Sequence, residues 1–275
     1  MADKQERIAI IGAGNLGTSI ADGLAQSDMF SAERITLTRR NLKHLEPYRE
    51  KGFQITDDNC DAVRDSDIII VAVEPQQMNE LLKEIDECLS AEQHLLISVA
   101  ASVKIEAIRH HLTQPVPIVR AMPNTAIAIH ESMTCLSSDA AGETNEHLER
   151  AQKIFGTVGE TMILNEEQMI PATALGACGI AFYLRMIRAA SQGGIETGLS
   201  ANQAMRMAAQ TARGASTLLL ELNQHPEYEI DKVTTPLGCT IAGLNQLEHK
   251  GLSSAIIQGI KTSADMAVKL YKDDE

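Results

Sequence analysis

Three glycines near the start of the chain have the spacing of a loop that binds a dinucleotide pyrophosphate. Gly12, Gly14 and Gly17 lie in the run I-G-A-G-N-L-G, between a predicted strand at Arg7–Ile11 and a predicted helix at Leu16–Leu24. In such a loop the first glycine permits a tight turn, the second lets the backbone approach the phosphates, and the third lets strand and helix pack closely. The helix N-terminus then offers free N–H groups to the anion. A tight turn without a ligand is the alternative, but the strand–loop–helix context favours a phosphate site.

A basic pair follows the predicted second strand. Proteins that bind NAD usually place a carboxylate there, roughly 20 residues past the loop, to hold the ribose 2′-hydroxyl. This chain has Thr38, Arg39 and Arg40 instead. Paired guanidinium groups suit a 2′-phosphate through charge-assisted hydrogen bonds. Two solvated arginines at a strand end would give the same sequence, but we predict NADP(H) rather than NAD(H).

The elements that must position these residues alternate along the first part of the chain. Short β-type runs, with helical patterns between them, predict an α/β Rossmann-type doubly wound, mainly parallel sheet that binds ligands at the carboxyl ends of its strands. The runs lie at residues 7–11, 35–38, 67–73, 94–100 and 117–122, with a further pair near 132–136 and 160–164 that flanks a helix at 145–155. We therefore predict a dinucleotide-binding domain at residues 1–165.

Only helical patterns follow, which predicts an all-helical dimerisation and substrate-binding domain at residues 166–275. The predicted helices lie at 171–199, 201–222, 226–230, 238–249 and 252–271. The first is uncharged until Arg185 and rich in small residues, including Gly176, Ala177 and Cys178. Such apolar surface predicts burial against a second subunit, and hence an obligate dimer or larger assembly. The uncharged stretch 170–184 is shorter than the ~20 residues that span a bilayer, so no membrane segment is predicted.

Charge and cysteine usage narrow the class of protein. A net charge of −13 argues against a nucleic-acid partner, because such binding depends on basic surface. The cysteines at positions 60, 88, 135, 178 and 239 are scattered and never form C-x-x-C, which favours reduced thiols and a cytoplasmic location. The histidines show no metal-ligand spacing, and we expect no metal centre.

A second motif covers residues 231–248, D-K-V-T-T-P-L-G-C-T-I-A-G-L-N-Q-L-E. It places Thr234, Thr235, Thr240 and Gly238 at the mouth of a predicted helix, where unpaired N–H groups bind a carboxylate well. Thr235 is also a good N-cap and Pro236 a good first helical residue. Composition alone leaves a capping sequence and a ligand site equally open.

Five runs together give the chain its family resemblance. They are I-G-A-G-N-L-G at 11–17, V-A-V-E-P-Q at 71–76, V-R-A-M-P-N-T at 119–125, G-A-C-G-I-A-F-Y at 176–183 and V-T-T-P-L-G-C-T-I-A-G-L at 233–244. With them the whole chain resembles the pyrroline-5-carboxylate reductase family, which makes proline by reducing a cyclic imine with NADPH or NADH. The last run is close to the family signature. The resemblance implies a dimer, often assembled into a pentamer of dimers.

The resemblance also implies roles for residues of this sequence. Thr240 would hydrogen-bond the imine nitrogen, and backbone N–H groups around Thr235, Gly238 and Cys239 would hold the substrate carboxylate. That site would lie between the nicotinamide and the signature loop of the partner subunit. Residues expected to bind substrate are Val233, Thr234, Thr235, Gly238, Cys239 and Thr240. Residues expected to bind the cofactor are Gly12, Ala13, Gly14, Asn15, Leu16, Thr38, Arg39, Arg40, Asn59, Ala72, Val73, Pro75, Ala100 and Ala101.

Three positions depart from the family pattern. Glu74 stands where a lysine is usual, Leu237 replaces the first glycine of P-G-G, and Ile180 replaces a proline. These differences bear on substrate fit or rate and keep a non-catalytic NADP-binding paralogue open. A β-hydroxyacid dehydrogenase-like oxidoreductase of the same architecture is a second alternative, but it would use a lysine on the long central helix. No lysine occurs between Lys153 and Lys232.

Overall fold

A computed structural model describes residues 6–27, 29–138 and 145–271. The chain divides into a sheet unit, residues 1–178 with 263–275, and a helical unit, residues 179–262. The predicted domain boundary between residues 165 and 166 lies within the sheet unit and stays a prediction.

Eight strands form one sheet in the described part of the sheet unit. They are β1 (Ile8–Ile11), β2 (Ile35–Thr38), β3 (Gln54–Thr56), β4 (Ile68–Val71), β5 (Leu95–Ser98), β6 (Ile118–Met122), β7 (Ser132–Ser138) and β8 (Gly159–Ile163). Their order is β3-β2-β1-β4-β5-β6-β7-β8. The first six are parallel, β7 runs antiparallel to β6, and β8 is parallel to β7. The predicted mainly parallel, doubly wound sheet is confirmed.

Helices cover both faces of this sheet. They are α1 (Asn15–Gln26), α2 (Glu46–Glu50), α3 (Asn59–Arg64), α4 (Met78–Ile85), α5 (Ile105–His110), α6 (Glu146–Gly156) and α7 (Met169–Ala172), the last followed by a π-helix (Thr173–Cys178). In β1, Ile8 and Ile10 join the apolar core on one face, whereas Ala9 and Ile11 join the core on the other. Side chains alternate along a strand, so a strand buried on both faces must be apolar throughout.

The strand order reverses beside β1, which separates β2 from β4. At such a switch point the loops that follow adjacent strands leave in opposite directions and open a crevice at the carboxyl ends. The glycine loop follows β1, and Ala72 and Val73 follow β4. The fold therefore places the predicted phosphate loop at the crevice.

The helical unit has almost no interior of its own. Its helices are α8 (Gly179–Glu196), α9 (Ala201–Leu222), α10 (Pro226–Lys232), α11 (Cys239–His249) and most of α12 (Leu252–Ala267). In residues 179–262 only Gly179, Ser191 and Ala204 are buried. Apolar side chains such as Leu184 and Leu220 are exposed in the single chain. An isolated copy of this unit would leave a large apolar surface in water.

One helical stretch, residues 166–196, is long and apolar enough to cross a membrane by length and composition alone. The sequence predicted no such segment, because the uncharged run ends at Leu184. The helical stretch continues past the charges at Arg185 and Arg188, which explains the difference. Residues 179–196 of this stretch belong to the unit with little interior, so their apolar composition has a second explanation in subunit packing.

The prediction of reduced cysteines is wrong for one pair. Cys60 in α3 and Cys88, in the 3-10 turn after α4, form a disulfide with their Cα atoms 5.6 Å apart. The two residues are separated by 28 positions and share no sequence motif, so spacing gave no sign of the bond. Cys135, Cys178 and Cys239 are free thiols. Burial raises the pKa of the Cys135 thiol.

Candidate functional site

The first and third glycines of the loop are required by their surroundings. Gly12 has a φ of +87°, and a Cβ there would lie 2.6 Å from the Val73 side chain and 3.0 Å from the Ala72 carbonyl oxygen. A Cβ on Gly17 would lie 3.0 Å from the Gly12 carbonyl oxygen. Gly12 thus makes the tight turn, and Gly17 lets the helix pack against the strand.

The second glycine differs from the other two, because it has free space beside it. A Cβ on Gly14 would meet only the Gly12 carbonyl oxygen, at 4.0 Å. Gly14 is also the N-cap residue of α1, and no side chain caps that helix. The space beside Gly14 therefore lies at an uncapped helix N-terminus, whose N–H groups and dipole favour an anion. This cradle fits a dinucleotide pyrophosphate.

A cleft of about 470 Å³ opens beside the glycine loop. Eight predicted cofactor residues line it: Gly12, Gly14, Thr38, Arg39, Arg40, Asn59, Ala72 and Val73. The Arg39 Nη1 atom lies 3.4 Å from the Ala13 carbonyl oxygen, so its guanidinium extends back towards the loop. Arg40 is exposed at the rim. Both predicted arginines thus line the same cleft as Gly12 and Gly14.

The other predicted cofactor residues lie close by without lining this cleft. Ala13 is buried in the loop, and Asn15 and Leu16 begin α1. Pro75 starts a 3-10 turn after β4, while Ala100 and Ala101 follow β5. Their roles stay predictions.

Several lining residues were missed from the sequence. They are Ile11, Asn41, His44, Gln77, Glu80, Leu81 and Glu84, whereas Glu74, which also lines the cleft, was noted from the sequence as a departure from the family pattern. Gln77, Glu80 and Glu84 recur at the spacing of one helix face, and that spacing was the available signal. In the described part of the chain no group of three His, Cys, Asp or Glu side chains could hold a metal ion.

Two of the resemblance motifs meet within the sheet unit. Asn124, at the end of V-R-A-M-P-N-T, donates its side-chain N–H to the Gly176 carbonyl oxygen at 3.3 Å. Gly176 lies in the π-helix, whose widened turns leave carbonyl groups that need other donors. The asparagine therefore fixes the start of G-A-C-G-I-A-F-Y.

The signature loop, residues 233–238, joins α10 to α11. The predicted substrate residues lie in this loop, except for Cys239 and Thr240, which lie in the first turn of α11. Of the two interpretations left open for Thr235, the capping one is excluded, because α11 begins at Cys239 and its N-cap is Gly238. Residues 235–238 form a turn instead, closed by the Gly238 N–H donating to the Thr235 carbonyl oxygen at 2.9 Å. A Cβ on Gly238 would lie 2.5 Å from the Thr235 hydroxyl, so this glycine is obligatory.

The hydroxyl groups of this loop and of the first turn of α11 differ in their availability. Thr234 already donates to the Ile230 carbonyl oxygen at 2.8 Å. Thr240 is half-buried in the first turn of α11. Leu237 has a φ of +62°, and its side chain is fully exposed. A leucine therefore occupies a left-handed conformation that suits the family's glycine, at a cost of about 1–2 kcal/mol.

Comparison with known proteins identifies an oxidoreductase with a dedicated dimerisation region. A family model described as NADP oxidoreductase, coenzyme F420-dependent, matches residues 7–102, and one described as pyrroline-5-carboxylate reductase dimerisation matches residues 166–270. Pyrroline-5-carboxylate reductase 2 of Dictyostelium discoideum is 47% identical over 96% of this chain and 93% of its own length. Pyrroline-5-carboxylate reductase 1 of the same organism is 54% identical, and this chain spans 50% of its length. The chain belongs to the pyrroline-5-carboxylate reductase family.

Solved structures agree with this assignment. A pyrroline-5-carboxylate reductase from Coxiella burnetii has a TM-score of 0.87 and 28% identity, covering 98% of this chain and 100% of its own. The Plasmodium falciparum pyrroline carboxylate reductase, solved with NADP bound, has a TM-score of 0.89 over 98% of this chain and 99% of its own, at 22% identity, and supports the fold alone. The predicted family and fold class are confirmed, and the dehydrogenase-like alternative is not favoured. The dimerisation match supports self-association.

Proposed function

We propose that this chain reduces 1-pyrroline-5-carboxylate to L-proline, with NADPH preferred over NADH. The observation that carries the proposal is a single cleft that is lined by Arg39 and Arg40 and by Gly14, beside which there is open space. Family membership and the relatives' names supply the substrate. This reaction is the last step of proline biosynthesis.

The residues of this chain divide the work. NADPH, when bound, would supply a hydride to the C=N carbon, and the nitrogen would take up one proton that comes from water. The glycine loop and the N-terminus of α1 bind the pyrophosphate, and the arginine pair binds the 2′-phosphate. Because an imine is more easily protonated than a carbonyl, the site needs orientation and one donor rather than a strong buried acid. We propose the Thr240 hydroxyl as that donor, with backbone N–H groups around Gly238 and Cys239 for the carboxylate.

An absorbance assay tests the proposed reaction. Purified protein with NADPH and pyrroline-5-carboxylate should oxidise the nicotinamide. A parallel assay with 3-hydroxy acids and NADP⁺ should give no signal. Signal only in the second assay would select a dehydrogenase, and cofactor binding without turnover would select a non-catalytic paralogue.

Replacing Thr240 with alanine is expected to lower kcat/KM by ~10–100-fold, the scale of one lost donor. NADPH affinity should not change, because Thr240 lies outside the dinucleotide cleft. Steady-state kinetics and NADPH fluorescence titration measure the two quantities. The matched control is Thr240→Ser, which keeps the hydroxyl and should keep most of the activity. Undiminished turnover of the alanine variant would remove Thr240 from the mechanism.

We further propose an obligate dimer in which the signature loop of a second subunit completes the site. The reason is that only three residues of the helical unit are buried in the single chain. The larger assembly that fits this dimer is a pentamer of dimers. Sedimentation at micromolar concentration should show no monomer. A stable, folded monomer would refute the proposal. The cytoplasmic location stays a prediction, because the Cys60–Cys88 disulfide removes the cysteine argument for it.

A further inference from the structure

A directed chain of hydrogen bonds links the glycine loop to α4. The Gly12 N–H donates to the Thr38 hydroxyl oxygen at 3.3 Å, and that hydroxyl donates to Asn59 Oδ1 at 2.6 Å. The Asn59 side-chain N–H then donates to Glu84 Oε1 at 3.0 Å. All four residues line the cofactor cleft. These hydrogen bonds therefore link the C-terminal ends of β1 and β2 to α3 and α4.

The Glu84 carboxylate sets the direction of every hydrogen bond in this series. A carboxylate only accepts, so it holds the amino side of the Asn59 amide towards itself. The amide oxygen then faces Thr38, whose hydroxyl must donate to it, and the hydroxyl oxygen is left to accept from Gly12. Thr38 is 1% exposed, so water cannot replace a lost partner at low cost. Removing Glu84 would leave the Asn59 amide free to reverse.

We infer that Glu84 is a positioning residue for the dinucleotide, acting through Asn59 and Thr38 on the glycine loop; this inference rests on the proposed NADPH function. Glu84 is exposed, and by charge alone it opposes an anionic ligand. A positioning role explains why a carboxylate lies in the wall of an anion-binding cleft. Independently of these hydrogen bonds, the Cys60–Cys88 disulfide joins α3 to the turn after α4. Loss of Glu84 should therefore disturb the amide orientation and leave the helices together.

The variant Glu84→Ala separates positioning from charge, because the two effects have opposite signs. Electrostatics alone predicts tighter NADPH binding when the carboxylate is lost. Positioning predicts weaker binding, by about 10-fold in Kd, the scale of one hydrogen bond to a charged group. Kd is measured by NADPH fluorescence without imine, so the result does not depend on turnover. A Kd that is unchanged or lower would overturn the inference.

Three further variants sharpen the result. Glu84→Gln keeps an acceptor oxygen for Asn59 and should bind NADPH at least as tightly as wild type. Glu80→Ala removes a carboxylate from the same helix and cleft, outside this hydrogen-bond chain, and should not weaken binding. Glu87→Ala, on the exposed turn after α4, should match wild type. Weak binding by the glutamine variant would show that an acceptor oxygen at residue 84 does not position the Asn59 amide, and would contradict the inference.

A double-mutant cycle with Asn59→Ala tests the proposed route. If Glu84 acts through Asn59, adding Glu84→Ala to Asn59→Ala should change Kd by less than about 2-fold. Additive effects would overturn the route. Unfolding temperatures of the variants should lie close to wild type, because Glu84 is exposed.

Wild type that binds NADPH but does not reduce the imine would refute the proposed reaction only. Wild type that does not bind NADPH would refute the cofactor site and this inference together.

Discussion

Replacing both Arg39 and Arg40 with alanine is expected to lower kcat/KM for NADPH by about 100–1000-fold while changing the NADH value little. Each guanidinium is expected to contribute about 1.5–2 kcal/mol through hydrogen bonds to the charged 2′-phosphate, at the lower end of the range for such bonds because Arg40 is exposed. NADH lacks this phosphate, so the same substitutions remove nothing specific from it. Steady-state kinetics with each cofactor at a fixed imine concentration measures the ratio.

The size of this effect follows from the charges of the cleft. Glu74, Glu80 and Glu84 also line it, so the arginines are needed to make the cleft attractive to an anion. Losing both arginines would leave three carboxylates near the ligand, and this repulsion acts more strongly on NADPH because only NADPH carries the additional charge of the 2′-phosphate. The KM of wild type for NADPH should also rise with ionic strength, because exposed charges are screened.

Matched variants show whether charge or geometry is responsible. Arg39→Lys keeps the charge and loses the planar fork, so it should lie between wild type and Arg39→Ala. Arg49→Ala is the control, since Arg49 is exposed and pairs with Glu46 at 2.9 Å outside the cleft. An unchanged NADPH-to-NADH preference in the double variant would refute the 2′-phosphate site.

The glycine loop and the arginine pair could be predicted from the sequence because their constraints are local. The positive φ at Gly12 and the close packing of Gly17 against Ile10 and Gly12 lie within one strand–loop–helix unit, whereas the contacts of Gly12 with Ala72 and Val73 come from the distant loop after β4. The parallel sheet followed from strands that alternate with helices and are apolar on both faces. Local pattern and tertiary structure agree at these positions.

Contacts between distant segments could not be predicted in the same way. Cys60 and Cys88 are joined only because the sheet brings their helices together. Glu84 lines the cleft because of the orientation of α4, and the sequence gives no sign of its partner Asn59. Thr235 has a residue type that suits a helix cap, but the turn at residues 235–238 makes Gly238 the N-cap of α11. Each of these features depends on tertiary geometry, which a linear pattern does not contain.

Replacing Glu166 with glutamine is expected to lower the free energy of unfolding by about 3–5 kcal/mol. Arg120, within V-R-A-M-P-N-T, is 2% exposed, and its Nη1 atom lies 2.8 Å from Glu166 Oε1. The same oxygen accepts the Ile105 backbone N–H at 3.1 Å. The substitution leaves a guanidinium buried in β6 without a counter-charge. Urea unfolding at one fixed protein concentration measures the loss, because stability of an oligomer depends on concentration.

The two sides of this ion pair should not be equivalent. Glu166 is 26% exposed, so water can solvate it when Arg120 is replaced by methionine. Arg120→Met should therefore cost less than Glu166→Gln, and the double variant should recover most of the loss, since no buried charge remains. The exposed pair Glu46–Arg49 is the control, and Glu46→Gln should cost less than about 1 kcal/mol. If the double variant were no more stable than Glu166→Gln alone, the cost would not come from the unpaired Arg120 charge, and the pair would have to stabilise the fold through packing.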